Sequence, residues 1–316
     1  MNRPGSLFGS LFVLVAACTP PASSARAPVA SPVLRVYSMQ ASRFVSFEHL
    51  ADAAARADVV FFGEQHDDPV THATELALLA AVGDRRPNVV LSLEMFERDV
   101  QRPLDDYLAG RIGEGAFLAA SRPWERYTTD YRAMVELARV RGWPVVASNV
   151  PRRLASVVSR GGLGALDTLP AADRPWLARE HRCPRDDEYF TRFSDQMRGH
   201  GSGGPASAPD TTGLRVMTER FYEAQCAKDE AMGESIADAY VRAGRGAMVV
   251  HYDGSFHSDF GLGTAERVRR RLPKARTLVI SAIPVVSFDS LDVEGNRRRG
   301  DFIVFTRRLA GVPAGR

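Results

Sequence analysis

The sequence predicts an α/β protein with a mainly parallel central sheet flanked by helices, and with a helical insertion before the last strands. Short apolar runs alternate with helical spacing along much of the chain, a pattern typical of parallel sheets. The first run, Val59-Val60-Phe61-Phe62, is apolar at every position, which favours a strand buried on both faces. Between about residues 153 and 246 strand signals vanish and helical pieces dominate.

Composition places the chain among ordinary globular proteins. Its 316 residues are 45% hydrophobic and 25% charged, which suits one large domain or two small ones. The 41 basic and 38 acidic side chains leave a formal charge of +3. So small a surplus gives no reason to predict a nucleic-acid partner, and we predict none.

The N-terminus resembles a bacterial lipoprotein signal. After Arg3, the apolar run Leu7 to Ala17 is too short to span a bilayer. It ends in small residues directly before Cys18, which predicts a signal peptide over residues 1–18 and lipidation of Cys18. Thr19 in place of aspartate favours the outer membrane, and residues 19–32, rich in Pro, Ala and Ser, predict a flexible tether. The alternative is an ordinary signal peptide with an incidental cysteine.

We predict that residues 33–310 form a single domain. Its predicted strands are Asp58–Phe62, Asn88–Leu93, Pro144–Ala147, Ala247–Val250, Thr277–Ser281 and Phe302–Phe305. Its predicted helices are Phe47–Ala57, Val70–Ala81, Tyr131–Arg141, Leu154–Val158, Ala171–Glu180, Asp187–Met197, Leu214–Ala243 and Gly261–Arg271. The glycine-rich stretch Gly199 to Gly213 predicts a mobile loop.

The longest predicted helix, Leu214–Ala243, carries apolar residues at helical spacing. They predict one buried stripe: Leu214, Met217, Phe221, Met232, Ile236 and Tyr240. This helix and its neighbours are expected to form a lid or cap between strands.

Polar side chains follow the predicted strands where each apolar run ends. They are Glu64, His66, Glu94, Asn149, Asp253 and His257. Because ligands bind beyond the carboxyl ends of parallel strands, we expect a shared site there. Glu64, His66, Glu94 and His257 are the predicted ligands of a divalent zinc, manganese or iron ion. Without a metal, a His–Glu pair could serve as a general base. The alternative is that these polar residues only end the strands, in loops exposed to solvent, and share no site.

Aromatic residues near this edge could line a pocket for a flat apolar ligand. Haem iron can be held by tyrosine or histidine, and Tyr127, Tyr131 and Tyr252 are the candidate haem ligands; Trp124 lies close to them in sequence. Asn149, Asp253 and Arg152 are predicted to support the site. Packing is the commoner use of such aromatic residues.

Two cysteines remain if Cys18 carries lipid. Cys183 and Cys226 match no zinc-module spacing. In an oxidising periplasm they could form a disulfide, and two buried free thiols are the alternative.

At these residues the chain resembles the ChaN-like haem-binding-uptake family of the Tiki superfamily. The matching sequence motifs are Gly63-Glu64-Gln65-His66, Leu93-Glu94-Met95-Phe96, Ser148-Asn149-Val150-Pro151-Arg152, Lys228-Asp229-Glu230-Ala231-Met232 and the Gly254 to His257 stretch. The resemblance covers about residues 35 to 307, nearly the whole mature chain.

The resemblance implies an α/β fold with a helical insertion and haem bound between two subunits through a tyrosine. Erythromycin esterases and Tiki metalloproteases share the superfamily. By resemblance to them, His66 and Glu94 would match the esterase base pair, and Glu64, His66 and His257 a metal site. The step from Gly254 to His257 is longer than in most relatives, so the resemblance carries less weight at His257 than at His66.

Two classes of function therefore follow. The first is a lipid-anchored haem-binding protein, a possible homodimer, that serves haem or iron uptake. The second is a hydrolase that uses His66 and Glu94, with or without a divalent metal.

Overall fold

The computed structural model of this chain describes Met1, residues 33–200 and residues 211–308, without the side chains of residues 199, 200 and 211. Apart from Met1, the predicted signal peptide, the lipidation site Cys18 and the tether lie outside the described residues. No helix within the described ranges is long and apolar enough to cross a membrane.

The described residues form one eight-stranded sheet. Its strands are β1 (Leu34–Ser38), β2 (Arg43–Val45), β3 (Val59–Glu64), β4 (Val89–Glu97), β5 (Val145–Asn149), β6 (Met248–Gly254), β7 (Thr277–Val285) and β8 (Phe302–Arg307). They lie side by side in the order β2-β1-β8-β7-β3-β6-β4-β5. Strands β8, β7, β3, β6, β4 and β5 are parallel, whereas β1 is antiparallel to both β2 and β8. The predicted mainly parallel sheet is confirmed.

All six predicted strands are present, and each ends later than predicted. Glu64, Glu94, Asn149 and Asp253 consequently lie inside strands rather than in the loops that follow them. Each predicted boundary lies too early because a polar residue at the end of an apolar run resembles the end of a strand. The carboxyl end of a parallel strand that borders a site carries polar residues within its own ladder.

The helices cover both faces of the sheet. They are α1 (Phe47–Arg56), α2 (Pro69–Arg85), α3 (Gln101–Leu108), α4 (Glu114–Ser121), α5 (Arg132–Arg141), α6 (Arg152–Gly161), α7 (Glu188–His200), α8 (Thr211–Ala243) and α9 (Gly263–Arg271). One face packs on α1, α2 and α5 through residues such as Leu78 and Val135. The opposite face packs on α8 and α9 through residues such as Ile236 and Val268. Asp68 caps α2 by accepting a hydrogen bond from the Thr71 N–H, and Pro69 is its first residue.

The helical insertion lies between β5 and β6, as predicted, but two details of it were wrong. The predicted helix Ala171–Glu180 is reduced to one 3₁₀ turn, Arg174–Trp176, since Pro175 cannot donate a helical hydrogen bond. The predicted loop Gly199 to Gly213 is also too wide, because α7 continues to His200 and α8 begins at Thr211. Only residues 201–210 separate the two helices, and they lie outside the described residues.

The predicted stripe on α8 is buried only in its C-terminal part. Met232 and Ile236 are fully buried, whereas Met217 is 42% and Phe221 38% exposed. The burial of α8 begins at Tyr222, whose ring contacts Phe190 and other aromatic rings of α7. Helical spacing identifies an apolar face, but it does not show how far along the helix another element covers that face.

A disulfide joins Cys183 to Cys226 over a sequence separation of 43 residues. The structure therefore favours the disulfide over two free thiols. The bond ties the segment before α7 to the middle of α8, close to residues of the candidate site described below.

Candidate functional site

The site forms where β3, β6 and β4 end side by side. Gly63 of β3 pairs with Asp253 of β6. A Cβ atom at Gly63 would lie 2.8 Å from the Cα of Ser255 and 2.9 Å from the Oγ of Ser258. Only glycine allows the turn after β6 to approach β3 this closely, which explains the glycine directly before Glu64.

Glu64 and His66 form a hydrogen-bonded pair at the end of β3. The Nδ1 atom of His66 lies 2.5 Å from Oε1 of Glu64, and the Tyr131 hydroxyl donates to the same oxygen at 2.6 Å. Tyr131 ends a single π-helical turn, Tyr127–Tyr131, which directs its hydroxyl into the site. Glu64 is fully buried, whereas the His66 side chain is 46% exposed. The carboxylate thus orients an imidazole that remains accessible at the surface.

The charges of this pair support each other. Burial opposes ionisation of Glu64, but hydrogen bonds from His66 and His72 outweigh it and lower the pKa of Glu64 to about 2. Burial likewise opposes protonation of His66, but the hydrogen bond to Glu64 and the charge of Glu94 raise the pKa of His66 above its usual value. The pair is therefore an ionised carboxylate beside an imidazole of increased basicity.

A second histidine–carboxylate group lies on the other face of the sheet. Glu94 accepts a hydrogen bond from the Gly254 N–H at 2.8 Å, and its Oε1 lies 3.3 Å from Nε2 of His257. The Nδ1 atom of His257 lies 2.7 Å from Oδ1 of Asp229, which also accepts from the Thr264 hydroxyl. His257 is therefore held from both ends between two carboxylates.

Burial opposes the charge on both members of this group, and their mutual attraction outweighs it. The charge of Glu94 and the contact with Asp229 raise the pKa of His257 to about 10. The charge of His257 in turn keeps the pKa of Glu94 well below its usual range. The group is an ion pair at neutral pH, and His257 is not available as a base there.

The two groups approach each other across Gly254. A Cβ atom at this position would lie 2.8 Å from Nε2 of His66 and 3.7 Å from Oε2 of Glu94. The predicted catalytic residues His66 and Glu94 are thus both brought close to the Gly254 backbone.

A third cluster lies behind His66 in the core. The Nδ1 atom of His72 is 3.0 Å from Oε2 of Glu75 and 3.4 Å from Oε2 of Glu64, and its Nε2 is 3.4 Å from Asp130. Burial opposes the charge of His72, but Glu64 and Glu75 raise its pKa to about 11. His72 is an imidazolium that bridges buried carboxylates.

The predicted metal ligands Glu64, His66, Glu94 and His257 do not form one cluster. Within the described ranges, only the ligand atoms of Glu64, His72 and Glu75 lie within 4.8 Å of one another in a group of three. The structure instead divides the predicted ligands into two hydrogen-bonded pairs, because Asp229 and the Gly254 N–H engage His257 and Glu94.

The three candidate haem tyrosines are buried, and none presents its hydroxyl at the surface. Tyr127 is 2% exposed and lies in the core beside Phe96 and Phe117. Tyr252 is fully buried on the α2 side of the sheet and donates its hydroxyl to the Glu75 carbonyl. Tyr131 reaches the site, but its hydroxyl is committed to Glu64.

The predicted supporting residues have different positions. Asn149 is buried at the end of β5. Asp253 is fully buried and accepts from the Ser258 hydroxyl at 2.7 Å, so it holds the turn after β6. Arg152 is exposed at the start of α6.

Residues of the insertion complete the site, and the strand-end argument missed them. Asp229 of α8 holds His257, Tyr189 of α7 donates to Asp229 at 2.6 Å, and Gln225 lies 3.2 Å from the ring nitrogens of His257. Of these residues, only Asp229 belongs to a motif that the sequence analysis identified, Lys228-Asp229-Glu230. That motif supports the family resemblance but does not follow a strand.

Residues 50–268 match the model of the family described as haem-binding uptake, Tiki superfamily, ChaN. The chain belongs to this ChaN family. The match extends from α1 to α9 and includes every site residue described above.

A solved ChaN structure is similar to this chain in fold. It is described as "Cofacial heme binding to ChaN of Campylobacter jejuni"; the two are 17% identical, with a TM-score of 0.63, over 87% of this chain and 97% of that one. A mutant erythromycin esterase in its open conformation is 12% identical at a TM-score of 0.44, over 83% of this chain and 79% of that one. None of the curated proteins matches this sequence.

Proposed function

We propose that this protein binds haem at the carboxyl edge of the sheet, with His66 as the ligand to the iron. The observation that carries the proposal is the match to the haem-binding ChaN family over residues 50–268. The similar Campylobacter jejuni protein is described as binding heme cofacially. When bound, haem would supply an iron centre with an open coordination position for a protein nitrogen.

The residues at this edge fit such a group through histidine better than through tyrosine. His66 combines a 46% exposed side chain with a carboxylate on Nδ1, the arrangement that orients metal-binding histidines. Trp124 contacts its ring edge-on at a centroid distance of 5.0 Å and adds an aromatic wall. The candidate tyrosines would each have to leave a buried position first.

A haem titration followed by absorbance tests this proposal. We expect a saturable shift of the haem absorption band at about one haem per chain, and a roughly tenfold or greater loss of affinity in His66→Ala, because a ligand bond to iron is removed. Tyr131→Phe should bind nearly as well as wild type. His49→Ala, an exposed histidine of α1, is the matched control. Spectra of unbound haem throughout would overturn the proposal, and unchanged binding by His66→Ala would move the ligand elsewhere.

We further propose that the protein is lipid-anchored at Cys18 in the outer membrane and serves haem or iron uptake. The support is the run of small residues before Cys18 and the family's description as a haem-binding uptake family. Metabolic labelling with a radioactive fatty acid and membrane fractionation test the anchor. Cys18→Ala should lose both label and membrane association; label retained in this variant would contradict the anchor.

A hydrolase is the second candidate function, and one observation favours it. The Glu64–His66 pair resembles a general base that is oriented by a carboxylate, and Glu94 lies across Gly254 from it. A panel of ester and peptide substrates, assayed with wild type and His66→Ala, tests this function. Activity that is indifferent to His66→Ala would exclude this base.

A further inference from the structure

A groove runs beside the candidate site, between α7 and the turn after β6. It consists of two adjoining cavities of about 380 and 360 Å³ that share Gln196 and Phe256. We call it the α7 groove. Gln65 and Ser255 line one part of it, and they are the chain neighbours of His66 and Gly254. The groove therefore opens at the same edge of the sheet as the proposed iron ligand, next to its chain neighbour Gln65.

One half of the α7 groove is apolar. Phe193, Met197 and Phe256 line it, and the rings of Phe193 and Phe256 lie 5.9 Å apart. Gln225 closes this half, with its amide nitrogen 3.2 Å from the ring nitrogens of His257. Aromatic and thioether side chains of this kind suit a flat apolar ligand.

The other half carries two guanidinium groups that converge on one ring. The Cζ atom of Arg192 lies 3.4 Å from the ring centroid of Phe260, and that of Arg299 lies 5.6 Å from it. Phe260 adopts a left-handed backbone conformation with φ of 61°, and its N–H donates to the Arg299 carbonyl at 2.6 Å. Such a conformation is strained for phenylalanine, and strain of this kind concentrates at ligand-binding positions.

Carboxylates already engage part of each guanidinium. Glu188 accepts from Nε and Nη2 of Arg192, and Asp259 accepts from Nη1 of Arg299 at 2.6 Å. Asp195, which also lines the groove, pairs with Arg198 of the same helix. The Nε atom of Arg299 is buried and has no hydrogen-bond partner among the described residues. A guanidinium has five N–H donors, and these carboxylates engage only Nε and Nη2 of Arg192 and Nη1 of Arg299, which leaves donors on both groups for an additional acceptor.

We infer that the α7 groove binds the propionate-bearing edge of haem, with the carboxylates at Arg192 and Arg299 and the adjoining part of the ring over Phe256. The inference rests on the haem binding proposed above. An apolar surface next to two arginine side chains matches a planar ligand that has an apolar body and two acidic arms, because arginine pairs with carboxylates through directed hydrogen bonds.

Haem and its dimethyl ester provide the test, since the ester keeps the iron and the ring but removes both acidic groups. Each is titrated into wild type, Arg192→Gln, Arg299→Gln and the control Arg215→Gln. Arg215 lies on α8, is 70% exposed and pairs with Glu219, outside the groove. We expect wild type and the control to bind haem about fivefold or more tightly than the ester, the size of a partly exposed charge pair. Each groove variant should lose part of this preference, because it removes one of the two arginine contacts, while binding the ester as wild type does.

The outcomes separate the two proposals. If wild type binds haem and the ester equally well, haem binding stands and the groove assignment is overturned. The same conclusion follows if the preference for haem over the ester is undiminished in both groove variants. If neither ligand gives a saturable shift, the haem-binding proposal itself fails. Circular dichroism shows whether each variant is folded. If a variant that loses the preference is also unfolded, Arg192→Lys and Arg299→Lys, which keep the charge, must restore the preference for haem over the ester.

Discussion

Gly254 determines how closely His66 and Glu94 approach each other. Its backbone has φ −59° and ψ 136°, which any residue can adopt, but a Cβ atom would lie 2.8 Å from Nε2 of His66. We therefore expect Gly254→Ala to displace the exposed His66 ring without straining the backbone. Haem affinity should fall about tenfold, with little change in melting temperature.

Gly115→Ala is the matched control for this substitution. Gly115 lies in α4, and a Cβ atom there would meet nothing within 4 Å. A haem titration and a thermal melt of both variants complete the comparison. A Gly254→Ala variant that binds haem like wild type would show that the position of His66 does not determine affinity.

His72 links protein stability to pH. Burial opposes its charge, but Glu64 and Glu75 raise its pKa to about 11 in the folded protein, from 6.5. Its contribution to stability is therefore complete below about pH 6.5 and is lost as the pH rises towards 11. We expect the melting temperature of wild type to exceed that of His72→Gln most at about pH 6, and the difference to narrow by about pH 9. A difference that stays constant over this range would contradict the raised pKa.

At the scale of single residues, the sequence allowed the site to be predicted only in part. Glu64, His66 and Glu94 could be found because each stands at the end of an apolar run. Asp229 could not, because it lies on a helix of the insertion and meets His257 only through tertiary packing. The face of the sheet on which Tyr252 lies could be predicted, because side chains alternate between the two faces along a strand. Tyr252 lies on the face opposite to His251 and Asp253.

At the scale of elements, α7 depends on the disulfide between Cys183 and Cys226. The bond closes a loop over 43 residues that contains the whole of α7. The loop-entropy relation gives a contribution of about 4 kcal/mol to the free energy of unfolding for a loop of this size. We expect Cys226→Ala to lower the free energy of unfolding by about 2–4 kcal/mol in urea denaturation.

A reductant provides the control for this measurement. Reduced wild type should unfold at the same urea concentration as Cys226→Ala, and the variant should not respond to reductant. If reduction leaves wild type unchanged, the bond does not contribute to stability in solution.

The presence of each helix and strand was easier to predict than its boundaries and its packing. The strands were recognisable because runs of Val, Ile and Phe strongly favour β-structure. Helix α8 was recognisable because apolar residues recur at helical spacing over most of its length. The exposure of Met217 and Phe221 was not predictable, because periodicity along one helix contains no information about where its partner ends. Strand β1 and the edge strand β2 are short and were not predicted.

At the scale of the molecule, we expect haem to control association. The proposed iron ligand, His66, has a side chain that is 46% exposed, so a haem bound through it would keep an apolar face in solvent that a second chain could cover. Sedimentation of the protein should show one chain without haem and two chains at one haem per chain. His66→Ala should remain a single chain at the same haem concentration. A mass that does not respond to haem would contradict this expectation.

The fold class was predictable because an alternation of apolar strands and helices permits few arrangements. The sheet order was not, since it depends on contacts between strands far apart in the sequence. In particular, β6 lies between β3 and β4 although the whole insertion precedes it. That placement is what brings Gly254 between His66 and Glu94.

The antiparallel pairing of β1 with β8 has a practical consequence for any attached group. Leu34, at the start of β1, pairs with Thr306 near the end of β8, and the Thr306 hydroxyl donates to Asp68, two residues after His66. The chain therefore enters and leaves the sheet on the same side as the site. A purification tag fused close to either position would begin beside the ligand, and a polyhistidine tag there could bind haem by itself. Titrations should use protein from which the tag has been removed.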